Sequence, residues 1–387
     1  MPRQKGKILF VGRYAGFDGG IERYEYLTAS LLRRNDYELV CAYQEKSREH
    51  EKFAAAFDRV LLLEQALQES QEYSLIAVHK LLDADLLERL LEKFPRQLVL
   101  FVHDHDTYCP RSHYYLPFRR RNCQRAWQAL VCAACAMLSS PRSWPRGVCG
   151  QLDHVLFSFA RRFRLYHRFP KVVVLSEFMR RNLLRNGFPA SLIQILPPFI
   201  ESAKQARSSK VASPPRLLFV GQLIRGKGVD LLLQAMAKVS VEYQLLIAGE
   251  GKDRPWLEEM ALKLKIADKV EFLGWTLYPE KLYVNSDLLL LPTRWQEPFG
   301  LVGLEAAAAG LPIVAFELGG CREYINDREN GILVRPGDID SFAKTVQNLL
   351  ENTDQLLPMG EKGRILAQDK FSPENFLRNF AGLIDKG

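Results

Sequence analysis

Short apolar runs recur along the whole chain, and most of them lead through a glycine-bearing or polar turn into a helical pattern. Their length and lack of polar alternation are typical of buried strands. The predicted strands of the first half are 7–11, 38–42, 74–78, 97–102, 171–175 and 193–196. Those of the second half are 217–220, 244–248, 270–274, 287–292 and 312–316. This alternation predicts an α/β fold.

The alternation is interrupted once, by the polar stretch 201–215. This stretch is rich in Ser, Ala and Lys and ends in Pro-Pro, which is typical of an interdomain linker. A chain of 387 residues is also too long for one ordinary core. We therefore predict two domains, 1–202 and 203–371.

Composition narrows the class of protein only moderately. The net charge of +8, from 53 basic and 45 acidic residues, fits nucleotides, phosphates, anionic lipid or nucleic acid without choosing among them. No run approaches the roughly 20 apolar residues of a membrane span. The apolar run 8–11 after the basic N-terminus is too short for a signal peptide, so we expect a cytoplasmic protein.

The segment that follows strand 287–292 carries the strongest candidate chemistry. The amides of Phe299, Gly300 and Leu301 lie at a predicted helix N-terminus, where the helix dipole favours an anion such as phosphate without a metal. Glu305, about one turn further on, can accept hydrogen bonds from the neighbouring hydroxyls of a ribose. Glu297, just before the turn, can do the same for a sugar ring.

These two carboxylates, Glu297 and Glu305, resemble the Glu-x7-Glu signature of the retaining glycosyltransferases of family four. The resemblance implies the GT-B fold, which has two Rossmann-like domains facing one another across a cleft. The alternative is an ordinary βαβ unit with one Glu in its loop and another on the helix surface. The family also returns its last helix to the first domain, so we add residues 372–387 to domain 1–202.

The loop after strand 217–220 contains Gly221, Gln222, Arg225, Lys227 and Gly228. It resembles the family's Gly-Arg-Leu-x-x-x-Lys-Gly motif, whose Arg and Lys clamp the donor diphosphate. Lys227 matches, but Gln222 stands in place of the Arg, and one positive charge is missing. Arg225 is the candidate substitute.

Other matches are shorter. Gly19-Gly20-Ile21-Glu22-Arg23 resembles the Gly-Gly-x-Glu-Arg loop that faces the cleft in the family, which makes Gly20 a donor-site candidate. His103 ends strand 97–102, where open α/β sheets place their sites, and the family has a His there beside the donor sugar. Trp275 follows strand 270–274, where backbone touches the nucleotide base in the family.

Five of the seven cysteines fall within 108–150, a region that is long for a loop. Cys132 and Cys135 form a Cys-x-x-Cys pair, and with Cys109 and Cys123 they supply the four thiolates of a structural zinc site. A similar Cys-bearing insertion occurs in a subset of the family. The alternative is four free thiols.

The same region is the most basic part of the chain. Arg119, Arg120 and Arg121 precede segment 157–169, in which aromatic residues and arginines interleave. That pattern suits an anionic membrane surface, stacking on nucleic acid, or a core helix with a solvated basic face. We expect the membrane surface and no nucleic acid, because two carboxylates in a phosphate site would repel a nucleic acid.

The resemblance implies a retaining hexosyltransferase that moves a sugar from a nucleotide diphosphate sugar to a hydroxyl of a glycan or lipid-linked acceptor. No cofactor is needed for this catalysis, and the departing diphosphate can take the acceptor proton. We therefore assign Lys227, Glu297 and His103 to catalysis and no general base. The alternatives are a nucleotide-sugar epimerase or phosphorylase of the same fold, and a non-catalytic binding protein for anions or nucleic acid.

Overall fold

The computed structural model describes residues 5–70, 72–116, 121–139, 152–201 and 210–384. Within it the chain forms two compact units. Unit 1 comprises residues 1–198 and 373–387, and unit 2 comprises residues 199–372. Arg119, Arg120 and part of the predicted linker, residues 202–209, lie outside the described residues.

Unit 1 is built on a seven-stranded sheet in the order β3-β2-β1-β4-β5-β8-β9, and all of its pairings are parallel. A separate antiparallel pair, β6 and β7, lies in the cysteine-bearing region. The strands are β1 Gly6–Ala15, β2 Tyr37–Lys46, β3 Arg59–Leu62, β4 Leu75–Val78, β5 Leu98–Val102, β6 Tyr115–Leu116, β7 Arg121–Asn122, β8 Lys171–Val174 and β9 Ile193–Ile195.

Helices cover this sheet, and side-chain caps fix where several of them begin. The Ser176 hydroxyl accepts a hydrogen bond from the amide of Met179, and the Asp83 carboxylate accepts from two amides of the next helix. The α-helices are Gly20–Arg33, His50–Ala54, Leu63–Gln68, Ala84–Lys93, Ala129–Ser139, Ala160–Tyr166, Glu177–Arg185 and Pro373–Ile384, and His154–Phe159 is π-helical.

The C-terminal helix Pro373–Ile384 belongs to unit 1 although it is last in the chain. Its Asn379 carbonyl accepts a hydrogen bond from Gln194 at 3.0 Å, and its Leu383 carbonyl accepts one from Lys171 at 2.7 Å. Phe380 is fully buried. The helix is therefore a structural part of the first unit.

Unit 2 is built on a six-stranded parallel sheet in the order β12-β11-β10-β13-β14-β15. Its strands are β10 Arg216–Val220, β11 Gln244–Ala248, β12 Val270–Gly274, β13 Leu288–Leu291, β14 Ile313–Phe316 and β15 Gly331–Val334. The α-helices are Val229–Met236, Arg254–Lys263, Glu280–Val284, Leu301–Ala308, Ile339–Glu351 and Leu356–Lys370.

Two parallel α/β units confirm the predicted fold class. In unit 2 the strand order reverses between β10 and β13, so the loops after these two strands leave the same edge of the sheet side by side. A reversal of this kind is where open α/β sheets hold their ligands. The loops after β10 and β13 carry Lys227 and Glu297.

Candidate functional site

Lys227 and Glu297 meet at the carboxyl edge of the unit 2 sheet. The ammonium of Lys227 lies 2.5 Å from Oε1 of Glu297, and both side chains are about a quarter exposed to solvent (28% and 25%). The hydroxyl of Thr293 lies 3.4 Å from the same oxygen. The structure therefore brings together two of the three residues assigned to catalysis, in a place that solvent reaches.

The close contact between the loop after β10 and the loop after β13 depends on glycines. A Cβ added at Gly226 would lie 2.1 Å from the Trp295 ring, and one at Gly228 would lie 1.9 Å from the carbonyl oxygen of Pro292. The Gly226 carbonyl also accepts a hydrogen bond from the Arg294 amide at 2.9 Å. Only glycine allows such close contact between backbones.

Glu305 lies on the helix Leu301–Ala308, which follows the loop after β13. Only 9% of the residue is exposed, and Oε2 accepts a hydrogen bond from the Tyr283 hydroxyl at 2.8 Å. Gly300 caps the helix with a φ of 96°, so the chain turns into the helix in a left-handed conformation. The helix begins at Leu301, so only Pro298, Phe299 and Gly300 separate its first amide from Glu297.

In the loop between β10 and its helix, Gln222 and Arg225 have different surroundings. Gln222 is exposed, and Arg225 lies 3.3 Å from a carboxylate oxygen of Asp230 and 4.7 Å from the centre of the Trp256 ring. Asp230 is shared with Arg294, which binds both of its oxygens. In this structure Arg225 is thus held by an acid and an aromatic ring.

The remaining donor-site candidates of unit 2 differ in exposure. The Phe299 side chain is buried in contact with the rings of Tyr324 and Phe371, so any ligand contact of this residue comes from its backbone. Trp275 is 42% exposed after β12. Leu301 is the first residue of its helix.

In unit 1, Gly20 begins the helix Gly20–Arg33, and His103 follows β5. The carboxylate of Asp104 binds Lys80 at 2.6 Å. His103 also contacts His79, the residue after β4, and Glu25 approaches His79 from the first helix. Sequence reasoning missed both His79 and Glu25, although His79 carries the available signal, a polar side chain directly after a buried strand.

Burial controls the protonation of these groups. Desolvation lowers the pKa of His103 to about 4, and it lowers the pKa of His79 well below its ordinary value. Desolvation and the nearby Glu22 carboxylate raise the pKa of Glu25 well above its ordinary value. The two imidazoles are therefore neutral near neutral pH, and the carboxyl of Glu25 favours its protonated form.

The four cysteines of the predicted zinc site have different packing partners. Cys109 and Cys123 pack against the main apolar core of unit 1, Cys132 packs against a small cluster around Ala133, and Arg111 donates a hydrogen bond to the thiol of Cys135. The thiol of Cys132 lies close enough to those of the other three to interact with their charge. Among the described residues, no group of three or more His, Cys, Asp or Glu is arranged to hold a metal ion. The structure gives the zinc site no support, and it stays a prediction that metal analysis would test.

Segment 157–169 packs largely against the rest of unit 1. Phe159 and Phe169 are buried, and Arg161 is bound to Asp85 and Glu88 at 2.6 and 2.5 Å. This matches the alternative of a core helix with a solvated basic face. Phe157 is the exception, because its side chain is 67% exposed.

Comparison with known proteins bears first on unit 2. Residues 201–365 match the family model of the group 1 glycosyl transferases. A glycosyltransferase of Methanocaldococcus jannaschii is 42% identical over 142 residues, which are 35% of this chain and 36% of that protein. Glycogen synthase of Mycobacterium tuberculosis is 34% identical over 175 residues, 44% of this chain and 40% of that protein. The chain thus spans well under half the length of these relatives.

Solved structures match the whole chain at low identity. Anabaena HepE in complex with UDP and glucose superposes with a TM-score of 0.75 at 18% identity, covering 99% of this chain and all of that one. Sucrose-phosphate synthase of Thermosynechococcus elongatus gives a TM-score of 0.73 at 18% identity, covering 98% of each chain. These likenesses show the fold, two Rossmann-like domains of GT-B type.

Across the described ranges, no helix combines the length and the apolar character that crossing a bilayer requires.

Proposed function

We propose that this chain is a glycosyltransferase of the GT-B superfamily that moves a hexose from a nucleotide diphosphate sugar to a hydroxyl of a glycan or lipid-linked acceptor, with retention of configuration. The contact of Lys227 with Glu297 at 2.5 Å, beside the helix N-terminus at Gly300, carries the proposal. The ammonium of Lys227 and the amides at the helix N-terminus can bind a diphosphate, and the carboxylate of Glu297 can bind sugar hydroxyls. The match of residues 201–365 to the group 1 glycosyl transferases supports it.

In this reaction the bond between the anomeric carbon and the diphosphate oxygen breaks, and a bond to the acceptor oxygen forms on the same face of the sugar. Lys227 and the amides of Gly300 and Leu301 stabilise the negative charge that develops on the departing diphosphate. The acceptor proton passes to that diphosphate, so no protein base is required. No metal takes part in this scheme.

The two carboxylates bind different parts of the donor. Glu305 accepts hydrogen bonds from the ribose hydroxyls, with Tyr283 fixing the orientation of its carboxylate at 2.8 Å. Glu297 binds hydroxyls of the hexose. In the free protein Lys227 neutralises Glu297, and the incoming diphosphate competes for the same ammonium.

The donor is the first thing to test. HepE of Anabaena has been solved with UDP and with UDP-glucose, so these are the first ligands to try. We expect a panel of nucleoside diphosphates and their sugars to raise the melting temperature for at least one base, since a ligand stabilises the state that binds it. Calorimetry that detects no binding by any activated sugar would refute the proposal.

Two other activities give different products. An epimerase would change the sugar of the donor without an acceptor, and a phosphorylase would need phosphate to split a glycosidic bond. Incubating the donor with and without an acceptor glycan, and analysing the products, separates them from transfer. The two sequence relatives described above are named as a glycosyltransferase and a glycogen synthase, which favours transfer.

We propose further that unit 1 docks on an anionic membrane through the helix Ala129–Ser139. This helix has no charged residue, yet Leu130 is 78% exposed and Leu138 is 64% exposed. Exposed apolar side chains of this kind mark interaction surfaces. Arg125 and Arg164 are also exposed and give the positive charge that anionic lipid attracts.

Flotation with vesicles of anionic and of neutral lipid tests the docking. The chain should float with anionic vesicles, and the variant Leu130→Gln with Leu138→Gln should not. Neutral vesicles are the control for charge. Binding that the double variant leaves intact, or no binding to anionic vesicles, would exclude this helix as the membrane contact, and soluble oligomers lost in the variant would assign it to self-association instead.

A further inference from the structure

Three side chains from separate elements of unit 1 converge between β1, β4 and β5. Nδ1 of His79 lies 2.7 Å from Nε2 of His103, which is a hydrogen bond between the two imidazoles. The same Nδ1 lies 3.8 Å from Oε1 of Glu25, and the side chains of His79 and Glu25 are 0% and 3% exposed. Of the three, only His103 was assigned to catalysis from the sequence.

The surroundings hold the His79 ring in one orientation. It stacks on Phe10 with centroids 5.3 Å apart and on Phe101 with centroids 4.8 Å apart. Its other nitrogen, Nε2, is buried and has no hydrogen-bond partner among the described residues. A Cβ added at Gly12 would lie 3.3 Å from the carboxyl oxygens of Glu25, so the glycine makes room for that carboxyl.

This environment decides which nitrogen of His79 carries the proton. A proton on Nε2 would be a buried N–H with no acceptor, which is rare in native proteins. A proton on Nδ1 has the His103 nitrogen in front of it and a Glu25 oxygen nearby. His79 therefore donates Nδ1–H, and His103 Nε2 accepts.

His103 is neutral as well and has one proton to place. Since its Nε2 accepts from His79, its own proton must lie on Nδ1. Within the described chain, Nδ1 of His103 has no hydrogen-bond partner, and it is not among the buried unpartnered atoms. It is thus available to an external acceptor.

We propose that His79 is a positioning residue that fixes the tautomer of His103, so that His103 presents Nδ1–H as a hydrogen-bond donor to a sugar hydroxyl. The proposal rests on the proposed function for the identity of the ligand. The tautomer itself depends only on unit 1 and can be measured without any ligand.

The variant His79→Leu removes the N–H, and His79→Asn, of similar shape, keeps an amide donor near the position of Nδ1. His79→Phe retains an aromatic ring between Phe10 and Phe101 and serves if His79→Leu fails to fold. Long-range proton–nitrogen spectra of protein labelled with ¹⁵N-histidine report which ring nitrogen is protonated. The chain has seven histidines, and His103→Gln identifies the signals of His103.

We expect Nδ1–H at His103 in the unaltered protein, a shift toward Nε2–H in His79→Leu and His79→Phe, and recovery of Nδ1–H in His79→Asn. Nε2–H at His103 in the unaltered protein would overturn the proposal. So would a His103 tautomer that is the same in all variants.

Kinetics then connect the tautomer to transfer. Loss of one hydrogen bond should lower kcat about tenfold in His79→Leu, with nucleoside diphosphate affinity unchanged. In a protein that already carries His103→Ala, His79→Leu should not lower kcat further, because the two residues act as one unit. An additive loss would mean that His79 acts only on stability. Absence of any nucleotide-sugar binding would refute the proposed function while leaving the spectroscopic result intact.

Discussion

At the scale of single residues, the contact between Lys227 and Glu297 joins two loops that the sequence shows only as separate motifs. The 2.5 Å distance between their charged atoms means that each neutralises the other before a ligand arrives. The pair is partly exposed, so its own contribution to stability is small. Its importance is therefore expected in binding and transfer.

Lys227→Ala should lower the rate of sugar transfer by about 10²- to 10³-fold, because a charge directed at the leaving diphosphate is lost. The folded state should survive, since only a partly exposed ion pair is removed. Steady-state kinetics with a saturating acceptor, together with a thermal melt, measure both effects.

Lys238→Ala is the matched control for this substitution. Lys238 also belongs to unit 2 and pairs with an acid, Asp340, but both side chains are more than half exposed. Transfer by this variant should equal that of the unaltered protein. If the two variants are equally active, Lys227 has no role in the reaction.

Gln222→Arg should tighten binding of a nucleoside diphosphate about tenfold, because it adds a charge-assisted hydrogen bond at the position where the family motif has Arg. In the free protein Arg225 contacts Asp230 and Trp256, so it has to leave these partners to provide this charge. Calorimetry with the diphosphate measures the change, with Gln222→Met as the uncharged control. An affinity equal to that of the control would show that this position does not face the diphosphate.

At the scale of elements, the helix Leu301–Ala308 is fixed against its neighbours by small residues. A Cβ added at Gly303 would lie 2.3 Å from a carbon of the buried Tyr324 ring. One added at Gly319 would lie 2.0 Å from the carbonyl oxygen of Glu297. The position of the loop that carries Glu297 thus depends on glycines on both sides of it.

Gly303→Ala should reduce the free energy of unfolding by about 2 kcal/mol, because the added methyl group overlaps a buried ring. Gly382→Ala is its control, since a Cβ at Gly382 meets nothing within 4 Å in the helix Pro373–Ile384. That change should be neutral or stabilise by about 0.5 to 1 kcal/mol. Denaturant titration of both variants provides the comparison, and equal stability would contradict the overlap at Gly303.

Most strands and one helix start were predictable from local pattern. Strands 244–248 and 270–274 were predicted with the observed bounds, and the helix predicted to start at 299–301 begins at Leu301. The strand Arg59–Leu62 was missed because it is only four residues long, partly exposed and begins with a charge. β1 extends to Ala15, beyond the predicted 11, since β2 continues beside it and overrides the glycine at position 12.

At the scale of the whole molecule, the buried histidines make stability depend on pH. The folded pKa of His103 is about 4, below the ordinary value of 6.5, and that of His79 is lower than its ordinary value for the same reason. Between about pH 4 and pH 6.5, these histidines therefore bind more protons in the unfolded chain than in the folded one. The contribution of these histidines to stability therefore falls as the pH is lowered from about 6.5 towards 4, whereas Glu25, whose pKa is raised, contributes in the opposite direction.

We expect the melting temperature at pH 4.5 to be clearly below that at pH 7.5, with His103 alone contributing a loss on the order of 2 to 3 kcal/mol. His103→Gln should reduce the difference between the two pH values, because it removes one of the protons taken up on unfolding. Scanning calorimetry of both proteins tests this. A difference that the variant leaves unchanged would assign the acid sensitivity to other groups.

Groups of residues that lie close together in the sequence were predictable, and groups that only the fold brings together were not. Glu297 and Glu305 stand in one segment, so their spacing alone suggested a site. Gly12, Glu25, His79 and His103 are spread over almost a hundred residues (12 to 103) and meet only because β4 lies between β1 and β5. A single sequence does not contain that strand order, so the role of His79 required the structure.

The order of the units along the chain has a consequence for how the protein is made. Residues 199–372 are contiguous, whereas unit 1 is completed by residues that come after them. In the last helix Phe376, Phe380 and Leu383 are at most 3% exposed in the finished protein. On the ribosome the second unit can therefore reach its native state while the first, translated earlier, still has uncovered apolar surface. Until the last helix has been made, unit 1 exposes the apolar surface that this helix covers.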